Sequence, residues 1–209
     1  MNSTSIDFTR GGLAARRTDT APAARNWRKW QAVFEHADGH FSNPLLEDAE
    51  VFSEFMWEYS VNRTIRAGKQ DEFRLALRSD RFLKVLNDHT GAGLDKEEAR
   101  LRPRFGVQEG KRRVRSALSK VAAFLAPHDF IAYDKFALKG LGRLIGRSVV
   151  KDYTYSEYLL ATNELLAGPL GERIRRFCVN NYPTPYASKR QRFHRRILDT
   201  YLMRIGGRY

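Results

Sequence analysis

Residues 127–146 read PHDFIAYDKFALKGLGRLIG, a mostly apolar segment that ends at a single acid, Asp134, where a helix begins. After that acid, Leu138, Leu141 and Ile145 recur at helical spacing, so the predicted helix has one apolar face. A carboxylate at a helix start accepts the free backbone N–H groups of the first turn and meets the positive end of the helix dipole. The stretch therefore predicts an N-cap at the edge of a core. Taken alone, it leaves open whether Asp134 also has a chemical role.

The composition indicates a folded, strongly basic protein. Its 209 residues include 37 Lys and Arg against 24 Asp and Glu, a formal net charge of +13. This balance favours a polyanionic partner, with nucleic acid first and an anionic membrane second. The single cysteine, Cys178, excludes an internal disulfide and a four-cysteine zinc site, and it fits a reducing cytoplasm. We expect no membrane helix, since no apolar run approaches the ~20 residues required, and no signal peptide.

The periodicity predicts an all-α fold, because sustained period-two alternation is missing from the sequence. We expect residues 1–22 to form a disordered basic arm and residues 23–209 to form one helical domain. The loop 90–93 and Pro103 are expected to bound a short charged helix. The predicted helices lie at about 23–36, 45–65, 71–78, 79–89, 94–101, 110–125, 134–145, 155–166, 169–178 and 188–204.

Chain geometry gives Asp134 a meaning beyond capping. A helix over 110–125 climbs roughly 22 Å, and the return segment 126–133 covers up to ~26 Å if extended. The chain can therefore return, which leaves Asp134 level with the glycine-bounded turn 105–111 and its neighbouring lysines and arginines. Helix N-termini and exposed turn N–H groups bind phosphates. A carboxylate in such a surface repels the ligand, and this mismatch suggests chemistry at Asp134.

Two segments resemble the helix-hairpin-helix DNA glycosylase superfamily. The run 131–144, IAYDKFALKGLGRL, is similar to the segment around that family's catalytic aspartate. The run 60–65, SVNRTI, is similar to its helix-end motif, which supplies a wedge residue to fill the gap left by a flipped base. The likeness extends over residues 45–147 and is greatest to the 8-oxoguanine branch. The family's hairpin reads Gly-x-Gly, whereas three residues separate Gly106 from Gly110 here, so we expect a degenerate hairpin.

The resemblance implies a compact multi-helix glycosylase-like fold and an enzyme that flips out and excises a damaged or modified base, with or without AP-lyase activity. Asp134 would stabilise positive charge on the sugar or activate water. A lyase would also use a lysine to form a Schiff base. Geometry prefers Lys111, next to the turn. The local sequence favours Lys120, although we expect it to project away from the apolar stripe.

The remaining site predictions concern DNA. The candidate DNA-binding residues are Asn62, Arg63, Gly106, Gly110, Arg112, Arg113, Arg115 and Lys135, and the candidate pocket aromatics are Phe130, Tyr133, Tyr155 and Tyr158. The expected partner is double-stranded DNA containing a modified base, bound by a monomer in a bacterial cytoplasm, without a metal or cofactor. Repair and phage defence are both open as settings. The alternative is a non-catalytic helical nucleic-acid-binding protein in which Asp134 is only a structural cap.

Overall fold

The computed structural model describes residues 44–66, 68–106, 114–146, 153–181 and 190–207. The chain divides into two compact units, Met1–Pro44 and Leu45–Tyr209. Apart from Pro44, the first unit lies outside the described residues, so the basic arm and the helix over 23–36 stay predictions. Within the described ranges the regular structure is helical, apart from one isolated bridge between Ile65 and Gly106. The all-α prediction is confirmed.

In chain order the helices are α1 (Pro44–Glu47), α2 (Ala49–Glu58), a 3₁₀ turn (Asn62–Thr64), α3 (Gln70–Leu77), α4 (Asp80–Asn87), α5 (Gly91–Phe105), α6 (Arg115–Leu125), α7 (Lys135–Leu144), α8 (Tyr155–Ala167), α9 (Pro169–Asn181) and α10 (Arg190–Ile205).

Helix α7, which begins after Asp134, is seated mainly against α10, and α10 also packs on α8 and α9. Two glycines allow this close approach. A Cβ on Gly140 would lie 2.0 Å from the carbonyl oxygen of Leu202, and one on Gly206 would lie 1.9 Å from that of Phe136. Both obstacles are backbone atoms, so a side chain at either glycine would push α7 and α10 apart. The position of α7, and of the acid that caps it, is therefore fixed by backbone contact.

The single helix predicted over 45–65 is divided in the structure. Asp48 interrupts it and caps α2, where its Oδ1 accepts the N–H groups of Glu50 at 2.7 Å and Val51 at 3.1 Å. The helix ends before Ser60, which has a φ of 53° in the left-handed region. Apolar spacing alone did not reveal these breaks, because a capping acid and a left-handed residue leave the hydrophobic period largely intact.

The prediction that Pro103 ends a short helix is wrong. Helix α5 starts at Gly91, in the predicted loop, and contains Pro103 in its last turn. Thr90 caps the start through its hydroxyl, which accepts the N–H of Gly93 at 3.3 Å. A proline removes one helical donor, and near a helix end this loss is outweighed by burial of apolar side chains such as Leu101 and Phe105.

Candidate functional site

Asp134 lies at the junction between an extended segment and α7. Its backbone is extended, and its Oδ1 accepts the N–H of Phe136 at 2.8 Å, which confirms the predicted N-cap. The side chain is half-buried, with 17% of its surface exposed, and its Oδ2 lies 4.0 Å from the Nζ of Lys120. One carboxylate oxygen therefore serves the helix while the other faces an amine.

Lys120 lies in the middle of α6 and is buried, with a relative exposure of 7%. Its Nζ donates a hydrogen bond to the carbonyl oxygen of Tyr59 at 2.9 Å. Tyr59 is the C-cap of α2, so the amine satisfies a helix-end carbonyl and meets the negative end of that helix dipole. The expectation that Lys120 projects away from the core is wrong, because Ser119 and Val121 are buried too and α6 is enclosed on more than one face.

The two candidate lysines thus have different outcomes. Lys120 is brought beside Asp134, whereas Lys111 lies outside the described residues, and the preference for it stays a prediction. The same holds for Gly110, Arg112 and Arg113 of the degenerate hairpin.

Three hydroxyl groups hold the extended segment that leads to Asp134. The Tyr155 hydroxyl accepts the N–H of Ile131 at 3.1 Å and donates to its carbonyl at 2.8 Å. The Tyr158 hydroxyl donates to the carbonyl of Ala132 at 3.3 Å, and the Ser119 hydroxyl accepts the N–H of Tyr133 at 3.0 Å. In a sheet, a neighbouring strand would satisfy the buried backbone groups of such an extended segment. Here the hydroxyl groups satisfy them instead.

The candidate pocket aromatics therefore fall into two groups, with three in the core and one at its edge. Phe130, Tyr155 and Tyr158 are fully buried, and burial raises the pKa of both tyrosines well above its usual value, which keeps them protonated as donors. Tyr133 is half-buried, with its ring centroid 5.1 Å from that of Tyr158. Of the four, Tyr133 is the residue that adjoins Asp134 and retains exposed surface.

The prediction of Arg115 as a surface DNA contact is wrong. Arg115 is 5% exposed, and its Nη1 donates to the carbonyl of Tyr153 at 2.7 Å. Its Nη2 lies 3.4 Å from Glu98 and 3.6 Å from Asp95, and its guanidinium stands over the Tyr133 ring at 5.4 Å. These internal partners occupy the side chain, which supports the segment before Asp134 instead of facing a ligand.

The wedge-like segment 60–65 adjoins the same site. It follows Tyr59, whose carbonyl binds Lys120, and its 3₁₀ turn packs against α6. Its far end is tied to the candidate hairpin, since Arg66 donates its backbone N–H to Phe105 at 2.9 Å and its Nε to Gly106 at 2.7 Å. The structure thus brings the segment, Gly106 and the Lys120–Asp134 pair into one region.

Two further predicted contacts stand at the edge of this region. Arg63 and Lys135 are exposed, and the Nζ of Lys135 lies 4.9 Å from the Phe136 ring centroid. The side chain of Asn62 lies outside the described residues. Sequence reasoning missed Tyr59, which acts through its carbonyl and so leaves no side-chain signal. It also missed Ser119, whose place directly before Lys120 was the available clue.

Other site chemistries find no support in the part of the chain that the structure describes. There, no group of three His, Cys, Asp or Glu side chains could hold a metal ion, and no helix is long and apolar enough to span a membrane. A scan against family models gives no match, and comparisons with curated proteins and with solved structures give none either.

Proposed function

We propose that this chain is a DNA N-glycosylase that flips out and excises a damaged or modified base from duplex DNA. The observation that carries the proposal is the Lys120–Asp134 pair. A mostly buried amine and a half-buried carboxylate lie 4.0 Å apart at the N-terminus of α7, in a chain with a net charge of +13. A carboxylate is a costly choice on a polyanion-binding surface unless it stabilises a positive charge that develops during a reaction.

Breaking a glycosidic bond creates such a charge. As the C1′–N bond breaks, its electron pair leaves with the base and the sugar becomes positively charged. The Asp134 carboxylate would stabilise this cation, or accept a proton from the water that attacks C1′. Its capping bond to Phe136 fixes the direction of the carboxylate beforehand, which is what electrostatic stabilisation requires.

Lys120 adds a second route. A neutral lysine amine can attack C1′ and displace the base, after which ring opening gives a Schiff base and allows strand cleavage. The amine must first lose a proton, and Asp134 is a carboxylate within 4.0 Å that can take it. The Tyr59 carbonyl holds the Nζ in place. A bifunctional glycosylase/lyase is therefore the more detailed form of the proposal.

One observation favours the alternative, a non-catalytic nucleic-acid-binding protein. Asp134 does cap α7, and Lys120 does satisfy the end of α2, so both residues have structural roles. The same surface would then bind DNA without changing it. The two functions differ in whether a base is released, and this difference can be measured.

The experiment compares wild type with Asp134→Asn and Lys120→Met on modified duplexes and on genomic DNAs rich in modified bases. Abasic sites are quantified with an aldehyde-reactive probe, and Schiff bases are trapped with borohydride. Asp129→Asn is the matched control, because Asp129 lies on the same return segment but pairs with His89 at 3.0 Å. Undamaged-duplex affinity is measured for every variant.

Wild type and Asp129→Asn should release a base, while Asp134→Asn should lose roughly two to four orders of magnitude in rate, as for removal of a key electrostatic or acid–base group, and still bind DNA. Borohydride should trap wild type but not Lys120→Met. If wild type binds DNA and releases no base from any substrate, the non-catalytic alternative is favoured. Base release without trapping would reject the lyase activity and leave the glycosylase activity in place.

A further inference from the structure

Helix α7 has a row of cations on its exposed face. Lys135, Lys139 and Arg143 are spaced four residues apart, and all three are exposed. The opposite face, which includes Leu138 and Leu141, is buried against the core. Residues four apart lie on one side of a helix. The row therefore extends about 12 Å along the axis of α7, starting at the residue that follows Asp134.

This arrangement is unfavourable for the isolated helix. Like charges at i and i+4 repel each other, and Lys135 places a cation in the first turn, at the positive end of the dipole. Helix α7 itself contains no acidic residue, and its N-cap Asp134 lies next to Lys135 only, at one end of the row. Within the described residues, neither Lys135 nor Lys139 has an ion pair, whereas some other helix cations, such as Lys69 with Glu72 and Arg176 with Glu172, are paired with an acid three or four residues away.

The third cation has a partial structural role. The Arg143 guanidinium donates to the carbonyl of Ile205, at the end of α10. This bond places Arg143 where α7 and α10 meet. Lys139, in the middle of the row, has no such bond within the described chain, so the row's repulsion is not relieved internally at its centre.

Local electrostatic cost without a local compensation is typical of a functional surface. We propose that the row Lys135–Lys139–Arg143 binds successive phosphates of one DNA strand, beside the nucleotide held at Asp134. The identity of the polyanion as DNA rests on the proposed function. Neighbouring cations of the row are about 6 Å apart along the helix axis, so the three side chains can reach separate phosphates of one strand. The row thus predicts the path of one strand along α7.

The test uses the full chain and an undamaged DNA duplex, so it does not depend on knowing the excised base. Fluorescence anisotropy gives the affinity of wild type, Lys139→Gln and Lys135→Gln/Lys139→Gln between about 50 and 200 mM salt. Glutamine removes the charge and keeps a good helix former. The matched control is Lys84→Gln, an equal loss of charge at an exposed position of α4, which packs against α3 and α5.

A phosphate contact contributes about 0.9 to the slope of log affinity against log salt. Lys139→Gln should therefore lower the slope by about 1 and the double variant by about 2, while Lys84→Gln leaves it unchanged. The proposal is overturned if the α7 variants keep the wild-type slope, if Lys84→Gln lowers it equally, or if phosphatidylserine vesicles bind the row and duplex DNA does not. Altered slopes without any base release would reject only the glycosylase; base release with unaltered slopes would reject only the row.

Discussion

Two buried cations on α6, Arg115 and Lys120, lie five residues apart in similar degrees of burial, with exposures of 5% and 7%. Arg115 has carboxylates at 3.4 and 3.6 Å and a carbonyl at 2.7 Å. Lys120 has a carbonyl at 2.9 Å and a carboxylate farther away, at 4.0 Å. An arginine stays charged at any ordinary pH and needs such acids when buried, whereas a lysine can give up its proton. Arg115 therefore suits a structural role, and Lys120 fits the amine role in the proposed lyase reaction.

The region around Arg115 is connected to the Lys120–Asp134 pair by a short series of contacts. Arg115 stands over the ring of Tyr133, the residue before Asp134, and Asp95 both approaches Arg115 and caps α8 by accepting the N–H groups of Tyr155 and Ser156 at 2.8 Å each. Helix α8 in turn supplies two of the three hydroxyls that hold the extended segment. We infer that the Arg115 region sets the geometry in which Asp134 meets Lys120.

The largest expected effect on stability comes from Arg115→Met. Removing the guanidinium leaves the buried carboxylate of Glu98 without its partner, and breaking a buried ion pair in this way costs about 3–5 kcal/mol. Urea unfolding followed by circular dichroism measures the loss. The control is the double variant Arg115→Met/Glu98→Gln, which removes both charges and should recover more than half of that loss. A single variant as stable as wild type would contradict the supporting role.

Tyr155→Phe should have the next largest effect. It removes the hydroxyl that bonds both the N–H and the carbonyl of Ile131, two buried groups that no strand partner satisfies. Unsatisfied buried groups cost about 1–3 kcal/mol, measured again by urea unfolding. Leu160→Ala, at an exposed position of the same helix, is the matched control and should change stability little. Equal losses in both variants would assign the effect to α8 in general.

The sequence predicted the structural role of Asp134 better than it predicted the residues around Asp134. Asp134 as an N-cap follows from an apolar segment, an acid and a helical period, which are all local signals. The return of the chain towards α6 follows from element lengths. The burial of Lys120 does not, because the apolar stripe of α6 describes one face, while tertiary contacts cover others.

Arg115 was misplaced for the same physical reason. A basic residue at a helix start, within a run of arginines, resembles a surface contact, and its partners Glu98 and Asp95 lie 17 and 20 positions earlier in the sequence. Pairing at such distances depends on how helices pack, which local spacing does not encode. The hydroxyl bonds to the extended segment are equally non-local.

Lys120→Met should lower the stability less than Arg115→Met does, but it should abolish the proposed lyase reaction. The substitution removes one charged hydrogen bond to Tyr59 and retains an unbranched apolar stem, so we expect a loss of about 1.5–3 kcal/mol at most. Borohydride trapping should nevertheless disappear. The free energy of unfolding and the borohydride trapping are measured on the same preparation. The control is Lys96→Met, at an exposed position of α5. If Lys120→Met lowers the stability as much as Arg115→Met does, the distinction between the structural and the proposed catalytic cation fails.

The last prediction concerns stability at alkaline pH and has the smallest effect at neutral pH. Burial raises the pKa of Tyr155 and Tyr158 above the unfolded value of 10.0. Their stabilising contribution is therefore complete below about pH 10, and it is lost as the pH rises above that value and the unfolded chain releases protons that the folded chain keeps. Urea unfolding from about pH 8 to pH 11 should reveal a fall in stability only at the alkaline end. The double variant Tyr155→Phe/Tyr158→Phe should fall less steeply, because two of the titrating groups are gone. If the free energy of unfolding falls as steeply with pH in the double variant as in wild type, these hydroxyls are not held protonated around the segment that positions Asp134.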